Sequence, residues 1–337
     1  MSRSYVHEKY AGSLPSLSKE DFERTDAFLR DLDPSTLHEW IDDRTVTRQF
    51  GERAFRMVID TPNDGDEGKA IVVGGEFGNG ITPATVLRAR IIRDMVDPSA
   101  SLVLQPNSTF LQPNMNYSRT ERHMLRRGKT SPLIGRIAVT LDSIKTPEDL
   151  TLVGASQGSV AVLELGAQSD YIPPAAVAVL EAPGVKDRSR LELLRDFMSC
   201  GADLVQVVKE NYSDENHPLL VETLRSFSGK ERIRYGLGVI NPENVAILGI
   251  LLHSRAQRAM HDVVQRGGAV VHAWGTKDAV SPVNENRTIA TWMHDLGFGE
   301  TGTHKYASHE LTGADHSISN NYSVIGALAR EAAALKK

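Results

Sequence analysis

Cysteine is almost missing from this chain. Among 337 residues there is one, Cys200, so no intrachain disulfide can form and a cage of cysteine thiolates around zinc is excluded. A surplus of basic charge is missing too. Lys and Arg number 38 against 43 Asp and Glu, a formal net charge of −5. Nucleic-acid-binding domains usually carry a basic excess, so this balance argues against a nucleic-acid partner. There is no long apolar run: residues 247–252, the most apolar stretch, are far too few to span a bilayer. The opening residues are polar and lack the apolar segment of a signal peptide. These absences predict a cytoplasmic chain with no membrane span. In such a chain the Asn-x-Ser/Thr triplets at Asn107, Asn116, Asn211, Asn286 and Asn321 are chance matches rather than glycosylation sites. Internal repeats and low-complexity tracts are also lacking.

What remains is an ordinary folding composition, 40% hydrophobic and 24% charged, which excludes disorder along the whole chain. The length suits one large α/β domain with an insertion. Residues 1–44 read as a helical extension. Ser18 with Glu20 and Asp21 signals a helix start, Phe22, Leu29 and Leu32 share a face, and Asp33-Pro34-Ser35 ends it. Residues 45–50 and 54–60 alternate around Gly51, which predicts an antiparallel hairpin. From Lys69 onward the pattern changes. Short continuous apolar runs at 70–73, 101–104, 150–153, 175–180 and 269–274 read as strands buried on both faces. A last strand is expected at 305–309. Helical stretches at 83–94, 131–144, 159–167, 284–296 and 323–335 alternate with them, the pattern of a parallel sheet covered on both sides. The alternation lapses over 186–262, which is mostly helix-like. The expected organisation is therefore an extension (1–44), a core (45–185 and 263–337) and a helical insertion (186–262).

Gly154-Ala155-Ser156-Gln157-Gly158 fits G-x-S-x-G between a predicted strand and a predicted helix. A serine held on so sharp a turn needs glycine two residues to either side, because side chains there would meet neighbouring backbone. A serine hydroxyl is a poor nucleophile near neutral pH and needs a base, which in turn needs an acid to orient it. On this turn the partners follow later strands in the order acid, then histidine. Asp278 stands just past the strand at 269–274, where open α/β sheets place functional loops. His316, in Gly313-Ala314-Asp315-His316-Ser317, follows the last strand in a loop of small residues. His304 and His309 are rivals, but they lie before or within that strand.

With these three residues in that order, the chain resembles the α/β-hydrolase superfamily from about residue 45 to its end. The resemblance implies a three-layer fold: a mostly parallel sheet, an antiparallel N-terminal hairpin and a helical cap formed by 186–262. It implies Ser156 as nucleophile, Asp278 as acid and His316 as base. Glu181, after the sixth strand, is the alternative acid. It also implies an oxyanion hole made by the backbone N–H of Gln157 and that of Glu76, with Phe77 next in line. Gly74-Gly75 stands where the family usually carries His-Gly, a departure. The function implied is carboxylesterase-like cleavage of a small-molecule ester or related acyl bond, with no cofactor and no metal. Serine at 156 argues against haloalkane chemistry, which uses a carboxylate in related enzymes. Phe197, Met198, Leu204, Val207, Leu248 and Leu251 are candidates for the inner face of the cap. The alternative is a non-enzymatic member serving as a binding or structural subunit, with homo-oligomer or assembly contacts through the extension.

Other signals are set aside. Arg127-Gly128-Lys129-Thr130 lacks the earlier glycine and the leading strand of a phosphate-binding loop. Gly75, Gly78 and Gly80 do not give a dinucleotide fingerprint. The basic run Arg119, Arg122, Arg126, Arg127 and Lys129 reads as a solvated face. His304, His309, Asp315 and His316 lack metal-ligand spacing.

Overall fold

The computed structural model describes residues 10–31, 33–62, 68–75, 80–107, 114–144, 147–168, 172–182, 241–253, 255–299, 305–316, 318 and 321–337, together with 189, 191, 192 and 195. Eight strands form one sheet in the order β1-β2-β4-β3-β5-β6-β7-β8. Strands β1 (Thr45–Phe50) and β2 (Arg53–Asp60) make the expected antiparallel hairpin, and β2 pairs antiparallel with β4 (Ser101–Gln105). From there every pairing is parallel, through β3 (Lys69–Gly74), β5 (Asp149–Ala155), β6 (Ala176–Leu180), β7 (Ala269–Gly275) and β8 (Tyr306–Leu311). The last strand runs two residues beyond the predicted 305–309, carrying its pairing on to Gly275↔Leu311.

The apolar runs are continuous because both sheet faces are covered, and the period of two sorts them. In β6, Ala176, Ala178 and Leu180 enter one core cluster, while Val177 and Val179 enter the other. The first cluster lies under α3 (Pro83–Val96) and α10 (Tyr322–Lys336). The second lies under α5 (Ser131–Ser143), α6 (Gln157–Gly166), α8 (Ala256–Gln265) and α9 (Val283–Asp295). A smaller cluster joins α4 (Arg119–Arg126), α6 and α7 (Pro242–Leu252).

The extension is part of the first layer. Helices α1 (Lys19–Arg30) and α2 (Pro34–Arg44) contribute Leu29, Leu37 and Ile41 to the core cluster, and the segment before them adds Tyr10, Leu14 and Leu17. Ser18 caps α1 as its sequence signals: its Oγ accepts the Asp21 N–H at 3.3 Å, and its own N–H donates to Asp21 Oδ2 at 2.8 Å. Asp21 also accepts from both Nη atoms of Arg330 on α10, and Ser323 Oγ lies 2.9 Å from Thr25 Oγ1.

Within the expected insertion, residues 196–240 lie outside the described residues, and with them Phe197, Met198, Leu204 and Val207. Leu248 and Leu251 are buried in the cluster shared with Leu133 and Val160. Residues 256–262 also fall within the expected insertion, yet Ala256, Ala259 and Met260 pack in the second core cluster beside the sheet.

Burial pushes the Asp21 carboxyl up, but hydrogen bonds from Arg330 and the Ser18 N–H outweigh it and hold the group below its ordinary value. A depressed carboxyl stabilises the fold above its unfolded pKa, and that contribution is lost as pH falls through the folded value. Asp21→Asn should cost about 1–2 kcal/mol at pH 7, Arg330 being partly solvated. The gap to wild type should begin to narrow near pH 4 and close only below the depressed folded value. Urea unfolding at the two pH values is the check.

Candidate functional site

The site gathers at the carboxyl ends of the parallel strands, where an open sheet presents its loops. Ser156 links β5 directly to α6 with φ 52° and ψ −124°. Such a backbone costs about 1–3 kcal/mol for a residue with a Cβ and persists only where its surroundings hold it. They do so here: the Ser156 N–H donates to the Leu180 carbonyl at 2.9 Å, and the one proton of Ser159 Oγ is shared between the carbonyls of Gly154 at 3.0 Å and Leu180 at 2.9 Å.

The flanking glycines are required by contact. A Cβ on Gly154 would stand 2.5 Å from the Gly158 carbonyl oxygen, and one on Gly158 would stand 2.6 Å from that of Gly74. A Cβ on Gly74 would in turn meet the Gly158 oxygen at 2.9 Å. The departure at the His-Gly position thus has a steric reason: the backbone of α6 occupies the space a side chain at 74 would need.

Asp278 lies three residues beyond β7. Its Oδ1 accepts the N–H groups of Val280 and Ser281, each at 2.8 Å, and its Oδ2 lies 2.9 Å from His316 Nδ1. His316 Nε2 lies 2.8 Å from Ser156 Oγ. The loops bearing Asp278 and His316 are fastened together. The Lys277 N–H donates to the Ala314 carbonyl at 2.8 Å, the Gly313 N–H to Thr276 Oγ1 at 2.7 Å, and a Cβ on Gly275 would stand 2.4 Å from the Ala314 oxygen. All three side chains are buried.

Glu181 is fully buried at the end of β6 with φ 56°, and its Oε2 lies 3.6 Å from His316 Nδ1. Two carboxylates therefore face one imidazole nitrogen, and Asp278 is the one at hydrogen-bond distance. These atoms of Glu181, Asp278 and His316 lie within 4.8 Å of one another. A metal ion there would have to displace the bond between His316 Nδ1 and Asp278 Oδ2.

The rival histidines do not join this group. His309 is in β8 and its Nε2 lies 2.8 Å from Glu331 Oε1 on α10, while His304 is outside the described residues. Of the expected oxyanion donors, Gln157 is the first residue of α6 and buried; Glu76 and Phe77 lie outside the described residues.

Sequence reading did not find the groups that hold the Asp278 loop. Asn286 Nδ2 donates to the Ser281 carbonyl at 3.0 Å and lies 2.9 Å from Ser281 Oγ, which itself donates to the Ala182 carbonyl at 2.9 Å. Asn286 Oδ1 meets His272 Nε2 at 2.9 Å. Burial lowers the His272 pKa to about 4, so this imidazole is neutral near pH 7 and can donate from one nitrogen. The sequence signal at Asn286 was a glycosylation triplet. Asn286, Asn107 and Asn321 are all buried, which closes those three to a glycan.

No protein-family model matches the sequence, and no curated protein matches it. Solved structures do. One is an alpha/beta hydrolase enzyme from a Medee basin deep-sea metagenome library, at TM-score 0.52 and 9% identity, the match covering 83% of this chain and 95% of that one. Another is a loop variant of the haloalkane dehalogenase DbeA from Bradyrhizobium elkanii, at TM-score 0.51 and 12% identity, covering 87% and 96%. The likeness is one of fold: the chain has the α/β-hydrolase fold. No helix among the described residues is long and apolar enough to cross a membrane.

Gly158→Ala should destabilise the protein by about 1–3 kcal/mol, because backbone rather than a flexible side chain must yield. Gly12→Ala, which meets nothing within 4 Å, should be near neutral. Thermal unfolding of the two variants beside wild type makes the comparison.

Proposed function

We propose that the chain is a serine hydrolase that cleaves a carboxylic ester or related acyl bond. The observation that carries the reading is the unbroken run Ser156 Oγ–His316 Nε2 (2.8 Å) and His316 Nδ1–Asp278 Oδ2 (2.9 Å), with the serine on a strained turn. Ser156 Oγ attacks the acyl carbon while His316 Nε2 takes its proton. Asp278 keeps the other ring proton on Nδ1 and stabilises the imidazolium that forms. The Gln157 N–H and that of residue 76 receive the oxyanion, each donor lowering the barrier by about 2.7–4 kcal/mol. His316 returns the proton to the leaving alcohol, and water then repeats the attack on the acyl-enzyme. These steps call for no cofactor.

One fold neighbour is named a haloalkane dehalogenase. Alkyl–halide displacement in that related chemistry uses a carboxylate nucleophile, and position 156 is serine, so an acyl bond is the better fit.

A fluorophosphonate tests the reading directly. Ser156 Oγ should bond to phosphorus, its proton passing to His316 and fluoride leaving. Mass spectrometry should place the adduct at Ser156, with none on Ser156→Ala. A folded wild-type protein that does not label would favour the non-enzymatic scaffold.

The two carboxylates can be ranked by p-nitrophenyl ester hydrolysis. Asp278→Asn should lower kcat by roughly 10²–10⁴-fold, because it forfeits the bond that fixes the imidazole tautomer. Glu181→Gln should cost less than about tenfold. The reverse ranking would move the acid role to Glu181.

A further inference from the structure

We infer that Asn107, just past β4, is the positioning residue that sets the oxyanion hole; this rests on the serine-hydrolase reading. Asn107 is fully buried. Its Nδ2 donates to the Gly75 carbonyl at 3.0 Å and also to Gln157 Oε1. An amide nitrogen carries two protons, and here they go to the two segments expected to carry the oxyanion donors.

Each bond bears on a donor. A trans peptide points its N–H opposite to its carbonyl. Holding the Gly75 carbonyl therefore aims the N–H edge of the same peptide unit, the donor expected from residue 76. Holding the Gln157 side chain fixes the first residue of α6, whose own N–H is the other expected donor. One side chain thereby sets the spacing between two donors that lie far apart in sequence.

The fulcrum itself is fixed. Asn114 Nδ2 donates to the Asn107 carbonyl at 2.9 Å, and the Arg56 N–H donates to the Asn114 carbonyl at 2.7 Å, which ties the assembly to the β1–β2 hairpin. The approach is tight enough to demand glycine at 75, where a Cβ would stand 2.5 Å from the Gln105 carbonyl oxygen and 3.0 Å from the Asn107 nitrogen. Pre-placed donors avoid reorganisation at the moment charge develops, which is the source of their effect. Asn107 touches neither Ser156 nor His316 by any of these bonds, so its contribution separates from theirs.

The test follows fluorophosphonate labelling rate against pH, with amide hydrogen exchange on the same full-length proteins. Asn107→Ala should slow labelling about 10–100-fold and leave the pH midpoint in place, because the imidazole and its acid are untouched. Exchange should rise in peptides covering 74–80 and 155–160 and stay unchanged across α10. Gln157→Met, which cuts one tether at nearly constant volume, should fall between wild type and Asn107→Ala, and it stands as the test should Asn107→Ala not fold. Wild-type labelling rates in the folded variants would overturn the assignment while leaving the hydrolase reading intact. A moved pH midpoint would also overturn it, showing that the effect ran through His316. A wild-type protein that does not label at all brings down the hydrolase reading and this assignment together.

Discussion

Backbone touching backbone is the constraint on which this structure turns. At the ends of β3 and β5 the main chain at Gly74 meets the first turn of α6 at Gly158, and Gly154 meets the same turn from the other side. No side chain fits at any of the three positions. Only with that contact can the helix begin directly after β5, and only then is Ser156 forced into a conformation that a serine would not choose. Leu180, at the end of the neighbouring strand, accepts both the Ser156 N–H and the Ser159 hydroxyl, so the cost of the turn is offset by bonds that the sheet supplies.

The sheet then fixes distance. Asp278 and His316 descend from β7 and β8, two strands beyond the one beside Ser156, yet their loops reach back over β6. They are pinned by Lys277 to Ala314, by Gly313 to Thr276, and through Ser281 to Ala182. Polar groups buried in this way must be satisfied or they cost stability. The bonds that satisfy them therefore also fix the geometry. His272 and Asn286 extend the same logic into the core, where a neutral imidazole acts as a structural donor rather than a base.

Much of this was legible in the residue order. Continuous apolar runs such as 70–73 and 269–274 are strands because both sheet faces are covered. Ser156, Asp278 and His316 stood out because they follow strands in a chemically meaningful order. Asn107 and Asn286 could not be found this way: an asparagine is common, and its value here arises from partners 32 to 50 residues away for Asn107 (Gly75 and Gln157) and from a bond to His272 for Asn286. The glycosylation triplets at these two positions, being chance matches, carried no information about burial. The burial of α1 and α2 was hidden, because the face formed by Leu29 and its neighbours carries no mark of the partner it will meet. The missing histidine before Gly75 looked like a defect until the approach of Gly158 gave it a reason.

That partner has a consequence for how the protein is made. Arg330, which binds Asp21, and Ser323, which meets Thr25, lie about three hundred residues downstream. Translation runs from α1 toward α10, so α1 cannot complete these bonds until α10 has emerged from the ribosome. A chain cut short before residue 322 would lack α10, which shares a core cluster with Leu14, Leu17 and Leu29. Closure of this contact is thus a late step: α1 is finished only when α10 is in place.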